Sequence, residues 1–261
     1  MLRILTYNIH RWLGTDRRVS PARIVAVIAA CRPDVAALQE VRVGRTESGI
    51  DQLAAVADAL GMTAHFHPTV QLGPERFGLA LLTTLPSRIV RTGRLPGWPG
   101  GPPLEPRGAL WIAVESGGAE VQVVNTHLGL FGPERLAQAE ALLGPDWLGS
   151  PACREPVILA GDLNASSRSR AYKRLLTRLR DAQLGAPEPR PRATFHTRMP
   201  VVRIDHLLIG RGIEVLVAAP VCTALTRQAS DHLPLVADLH LPPADRADAR
   251  QGPDLASLPS A

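Results

Sequence analysis

With 261 residues the chain is long enough for one large domain with a well-buried core. A formal net charge of +5 would suit a nucleic-acid partner, yet Lys173 is the only lysine among 29 basic residues and the arginines are scattered, so composition marks no basic face. Three cysteines without a CxxC pair exclude a disulfide framework and a zinc knuckle, and no stretch approaches the roughly 20 apolar residues of a membrane span.

Leu2 to Ile9 is β-branched and apolar, reads as a strand rather than a signal peptide, and delivers Asn8 at its end. Ser20-Pro21 offers an N-cap and a first-turn proline for a helix over Ala22 to Cys31. Asp34 to Glu40 is a buried strand ending at Glu40. Asp51 to Leu60 is a helix closed by Gly61. Phe77 to Thr84 is a strand ended by Leu85-Pro86, with Arg88 to Leu95 as its neighbour. The Pro- and Gly-rich stretch 96–103 excludes regular structure.

Arg107 to Val114 and Ala119 to His127 form a hairpin across Ser116-Gly-Gly118, and it ends at Asn125 and His127. A helix from Pro133 to Leu143 leads to Pro156-Val-Ile-Leu-Ala-Gly-Asp-Leu-Asn164, an apolar run that stops at a carboxylate and an amide two positions apart. Taken alone, Gly161-Asp-Leu-Asn164 also fits plain turn chemistry. A helix over Arg168 to Leu179 follows, then strands over Arg203 to Ile209, Glu214 to Ala219 and Ser230 to Leu239. The expected organisation is one domain over 1–242 and a disordered tail over 243–261, whose Pro, Asp, Arg and Ala show no periodicity. About a dozen strands with few helices predict two packed mixed sheets with helices outside, an α/β class.

The polar residues at the strand ends are Asn8, Glu40, Asn125, His127, Asp162, Asn164, Asp205, His206, Asp231 and His232. Hard oxygen donors dominate, and no cysteine joins them, so the set suits Mg²⁺ or Mn²⁺ rather than zinc. Magnesium keeps waters and takes substrate phosphate oxygens, which points to phosphoryl chemistry.

Thr6-Tyr-Asn-Ile-His, Leu38-Gln-Glu40, Asn125-Thr-His-Leu, Gly161-Asp-Leu-Asn, Ile204-Asp-His and Ser230-Asp-His resemble, in order and spacing, the motifs of the endonuclease/exonuclease/phosphatase superfamily, the DNase I-like fold. The resemblance spans residues 2 to about 240 and implies a four-layer α/β sandwich that hydrolyses phosphate esters with a divalent metal. It implies Glu40 on the metal with Asn8 and Asp231 at or near its shell. It places Asp162 at the attacking water, Asn164 on the scissile phosphate, and His232 on that phosphate or acting as base with Asp205 fixing its tautomer. The base stays open between Asp162 and His232. His127 is the donor to the phosphate or leaving oxygen, and Arg107 a phosphate-facing arginine. His206 packs or serves the site, while His10, His65, His67, His196 and His240 carry no role.

Three functions stand side by side: a phosphodiesterase or phosphatase acting on a lipid head group or small molecule, an endonuclease or exonuclease on DNA or RNA, and a non-catalytic binding member. The first is favoured, because aromatics make up only 4% of residues and no basic cluster interleaves with them. The 96–106 loop is too short and too rigid in composition for a large membrane-inserting element, although its Trp98 can touch a lipid surface. The chain is expected to be monomeric and cytoplasmic.

Overall fold

The computed structural model describes residues 1–44, 51–188 and 190–242; the tail expected to be disordered lies outside them. Two six-stranded mixed sheets stand face to face. The first runs, in spatial order, Glu214–Pro220 (β11), Leu235–His240 (β12), Leu2–Asn8 (β1), Val35–Val43 (β2), Glu75–Thr83 (β4) and Thr63–Leu72 (β3). The second runs Ser87–Arg94 (β5), Gly108–Ser116 (β6), Ala119–His127 (β7), Val157–Asp162 (β8), Asp205–Ile209 (β10) and Arg180–Asp181 (β9). The pairs β1–β2 and β7–β8 are parallel and the other pairs antiparallel.

Alternation along the strands builds the layers. Leu2 and Ile4 of β1 face inward and meet Ile112, Val123 and Ile158 from the opposite sheet. Leu5 and Tyr7 face outward, onto Ile24, Val27 and Ile28 of the helix Pro21–Cys31 (α1) and Leu53 and Val56 of Gln52–Leu60 (α2). On the far side Trp111, Val124 and Leu159 pack against Ala139 and Leu142 of Gly132–Leu143 (α3) and Tyr172 of Arg170–Leu175 (α4). Each fully buried aliphatic among them contributes about 1.5–3 kcal/mol. The order helix, sheet, sheet, helix is the four-layer sandwich expected from sequence. Two short helices, Ala182–Gly185 (α5) and Ala224–Ala229 (α6), were not anticipated.

Several elements depart from the sequence reading. β2 does not stop at Glu40 but runs on to Val43 through a bulge, where Glu40 takes φ 53° and the pairing with β4 skips from Leu38 to Val41. β5 is no neighbour of β4: Leu85-Pro86 carries the chain across to the second sheet, where β5 pairs with β6. β3, at the sheet edge, escaped notice because its largely half-buried residues show no clean alternation. α4 ends at Leu175, where the Thr177 hydroxyl donates to the Arg174 carbonyl and competes with further helix. Ser20 makes no side-chain cap bond. Asp51 does cap α2, accepting from the Leu53 and Ala54 amides.

Candidate active site

The topology brings the polar strand ends together. β1, β7 and β8 run toward one end of the sandwich and deliver Asn8, His127 and Asp162 as their last residues. Antiparallel partners begin at that end, so Arg107 just before β6 and Asp205 opening β10 arrive there too. Asp231 and His232 come from the turn before β12, not from the strand itself, which starts only at Leu235. Consequently His232 and Asp205 meet across the two sheets, rather than on adjacent strands.

Asp162 is the centre. It is buried, and its register partner on β10 is Asp205, which sets two carboxylates side by side. Gly161 lets β8 approach β7: a Cβ there would lie 2.0 Å from the Thr126 carbonyl oxygen. Asn8 Nδ2 donates to Asp162 Oδ2 at 3.0 Å and to Glu40 Oε1 at 3.1 Å, while its Oδ1 accepts from the His10 amide. The Asn164 amide N–H donates to Asp162 Oδ1 at 2.8 Å. Burial first, and then the neighbouring Asp205 charge, push the Asp162 carboxyl above the usual range, against the opposing pull of His232 and the bonds from Asn164 and Asn8.

His232 Nδ1 donates to Asp205 Oδ2 at 2.9 Å, which turns Nε2 toward Asp162 Oδ2, 3.7 Å away. Burial alone would lower its pKa. The charge and hydrogen bond of Asp205, with Asp162 and Asp231, reverse that and lift it well above the histidine range. These carboxylates therefore favour the doubly protonated ring.

His127 behaves oppositely. Burial, then the charges of Arg107, His232 and Arg11, hold its pKa well below the usual value, so the ring is neutral. Arg107 Nη1 can only donate, and it lies 3.2 Å from His127 Nδ1. Nδ1 therefore accepts, and Nε2 carries the proton. That proton faces Asn164 Nδ2 at 3.0 Å, another donor, which also gives a hydrogen to the Leu128 carbonyl. Two donors, His127 Nε2–H and Asn164 Nδ2, thus face each other beside Asp162, an arrangement that suits an anionic oxygen between them.

On the other side lie Glu40 and Asp231, partly exposed at 26% and 25% of their side chains. Ser230 joins them to the centre: its hydroxyl donates to the Asn8 carbonyl at 2.8 Å and lies 3.3 Å from Asp231 Oδ1. Two hard carboxylates with solvent access fit a magnesium-like ion that keeps several waters. The tightest acid–histidine cluster among the described residues is different, namely Asp162, Asp205 and His232, with ligand atoms within 4.8 Å of one another. There the His232–Asp205 hydrogen bond already occupies the donors. Asn8 turns its amide nitrogen, not its oxygen, toward the carboxylates, which makes it an orienting residue in this arrangement.

Sequence reasoning passed over His10 and Arg11. His10 Nδ1 stands 3.6 Å from Asp231 Oδ1 and Arg11 Nε 3.8 Å from Glu40 Oε2, on a turn where His10, Arg11 and Trp12 all have positive φ. The usable signal was adjacency to Asn8 in Asn8-Ile-His-Arg11. His206 is structural: it is buried, its ring tilts against Tyr172, Nε2 donates to the Ala165 carbonyl, and Nδ1 lies 3.2 Å from Asp181. His65 and His67 bond Ser87 and the Gly93 carbonyl away from the centre.

Fold and site together define a DNase I-like sandwich with a carboxylate, amide and histidine centre at one end. The chain belongs to the Endonuclease/Exonuclease/phosphatase family, whose pattern it matches over residues 5–232. It is 30% identical to YbhP of Escherichia coli (strain K12) over 141 residues, a match spanning 52% of this chain and about half, 54%, of that protein. Among solved structures it resembles an endonuclease/exonuclease/phosphatase from Beutenbergia cavernae, with TM-score 0.74, 26% identity and coverage of 93% of this chain and 72% of that one. A Bacteroides vulgatus protein of the same description gives TM-score 0.75 at 20% identity, covering 92% and 98%. Family members are hydrolases of phosphate esters. No described helix is long and apolar enough to cross a membrane.

Proposed function

We propose that the chain hydrolyses a phosphate ester of a lipid head group or small molecule, with Mg²⁺ or Mn²⁺ held by Glu40 and Asp231. The observation that supports this reading is a pair of facing donors beside a buried carboxylate: the Nε2–H of neutral His127 and Asn164 Nδ2, 3.0 Å apart, with Arg107 on His127 Nδ1 fixing that tautomer. An anionic phosphate oxygen satisfies the facing donors of His127 and Asn164 together. A bound divalent ion would supply charge neutralisation at the phosphate and a more acidic water.

In this reading Asp162 is the base and His232 is not. His232 commits Nδ1–H to Asp205 and its carboxylate neighbours favour the protonated ring, whereas an ionised Asp162, fixed by Asn8 and the Asn164 amide, accepts the proton of a water attacking phosphorus. As the new P–O bond forms, the ester P–O bond breaks and the leaving oxygen departs with the bonding pair. His232 then acts as a cationic donor to the phosphate, oriented by Asp205.

The test is a metal-supplemented panel of bis-p-nitrophenyl phosphate, phospholipid head-group esters and plasmid DNA. Exhaustive chelation should abolish turnover, and Mg²⁺ or Mn²⁺ should restore it. Full activity with no metal found by elemental analysis overturns the metal assignment; plasmid cleavage far above ester hydrolysis overturns the substrate class.

A further inference from the structure

Around the mouth of the site the surface is apolar in a way the chemistry does not need. Leu130 is 65% and Phe131 45% exposed directly after β7, and Met199 is 73% and Val201 70% exposed in the loop before β10. With Val202, these make five of the twelve exposed large hydrophobics among the described residues, gathered in two short loops. Single exposed apolar side chains need no explanation, but such a concentration does. Trp98, half-buried in the 96–106 loop, stacks on Phe131 with ring centroids 5.2 Å apart, which extends the patch to a third loop.

A groove of about 830 Å³ runs between these loops. Its lining takes Pro99 and Gly132 from beside Trp98 and Phe131, Val202 from the other apolar loop, and Asn164 from the site. Arg168 and Arg170 also line it; both are exposed and make no ion pair or side-chain hydrogen bond among the described residues. Exposed Arg198 stands next to Met199. Glu140 is the one carboxylate along the groove.

We propose that this face docks on an anionic lipid surface, with Leu130, Phe131, Met199 and Val201 entering the interface and Arg168, Arg170 and Arg198 meeting the head groups. Apolar side chains at the boundary plus nearby cations are what interfacial binding requires. A single-stranded nucleic acid is the weaker occupant. Its bases need open aromatic faces, whereas most of the exposed groups here are aliphatic and the two aromatic rings cover each other. Docking stands by itself; the further step, that the ester cleaved belongs to a head group in that surface, rests on the phosphoester reading above.

Flotation with phosphatidylcholine vesicles, with and without phosphatidylglycerol, tests it. The protein should float with the anionic vesicles and much less with the neutral ones. A Phe131→Ser/Met199→Ser variant should bind at least about tenfold more weakly, since each buried apolar side chain counts for that much. Arg168→Gln and Arg170→Gln should each cost about fivefold and flatten the salt dependence. All three variants should keep wild-type turnover of bis-p-nitrophenyl phosphate and unchanged melting. No flotation of the wild type, or equal flotation of the apolar variant, overturns the proposal, as does binding of a single-stranded oligonucleotide in preference to vesicles. A protein that floats but hydrolyses no ester overturns the phosphoester reading alone; one that hydrolyses the reporter but never floats overturns the docking alone.

Discussion

Asp162 and His232 both sit among carboxylate charges that favour their protonated forms, and in the proposed mechanism they take opposite roles. Asp162 faces Asp205 in register with little solvent, so its proton is held more tightly than in an ordinary aspartate. A base must be ionised to work, so kcat/KM should rise with pH through a midpoint above the usual carboxylate range, about 4. A profile already flat at that ordinary value would contradict the assignment. Asp162→Asn keeps volume and hydrogen-bonding reach without the charge, and kcat should fall by at least about 10²-fold while metal affinity holds. Near-wild-type turnover would reduce Gly161-Asp-Leu-Asn164 to a turn. Asp205→Asn removes the charge that keeps the second proton on His232, so the imidazole titration followed by NMR should move down in pH. An unmoved titration would show that Asp162 and Asp231 suffice to hold the proton.

Elements were legible where a local rule and the tertiary context agree. Asp51 and Gly61 bracket α2 as written, the latter at φ 63°, and Gly117-Gly118, both at positive φ, turn the β6–β7 hairpin at the expected place. They were illegible where pairing decides. Nothing local in Leu38-Gln-Glu40 says that the strand resumes after a bulge, and nothing in Leu85-Pro86 says that the next strand changes sheets. Nor does the sequence mark Asp181, which caps α5 through the Gln183 amide and also binds Tyr172, Arg203 and His206. Burial would raise its pKa, but these partners outweigh it and the net shift is downward. An aspartate with a depressed folded pKa stabilises the fold above its unfolded pKa and loses that contribution as pH falls through the folded value. Asp181→Ala should therefore cost about 3–5 kcal/mol in urea unfolding at neutral pH, as expected when one partner of a buried charged network is removed. The penalty should shrink below about pH 4. A constant penalty from pH 7 to 3 would mean that the carboxylate charge plays no part.

At the scale of the whole molecule the site depends on how two sheets are held at a fixed offset, and apolar packing between them does not by itself fix that offset. Asn125, one of the polar strand-end residues picked out in the sequence, turns out to be fully buried between the sheets rather than open to a substrate. From β7 its Nδ2 donates across the core to the Leu38 carbonyl at 2.9 Å and the Ala80 carbonyl at 2.8 Å, and its Oδ1 accepts from Gln39 Nε2 at 2.8 Å. These partners flank the β2 bulge, where the broken ladder leaves carbonyls needing donors. One amide thus ties the bulge that aims Glu40 to the strand that ends in His127. Asn125→Ala takes the Asn125 donor from the Leu38 and Ala80 carbonyls, at about 1–3 kcal/mol for each buried group left unsatisfied, while Gln39 Nε2 keeps the Thr6 hydroxyl and the Ala37 carbonyl. Allowing for relaxation, a loss of about 3 kcal/mol and a melting point lower by about 6–12 °C are expected for a domain of this size. Asn125→Leu fills the space but donates to neither carbonyl, so it should not recover the loss. Because the tie also sets the spacing of Glu40 from His127, folded Asn125→Ala should bind Mg²⁺ more weakly in calorimetry, although Asn125 touches neither carboxylate of the proposed metal site. Lower stability with unchanged metal affinity would confine Asn125 to the core; unchanged stability would remove the clamp altogether.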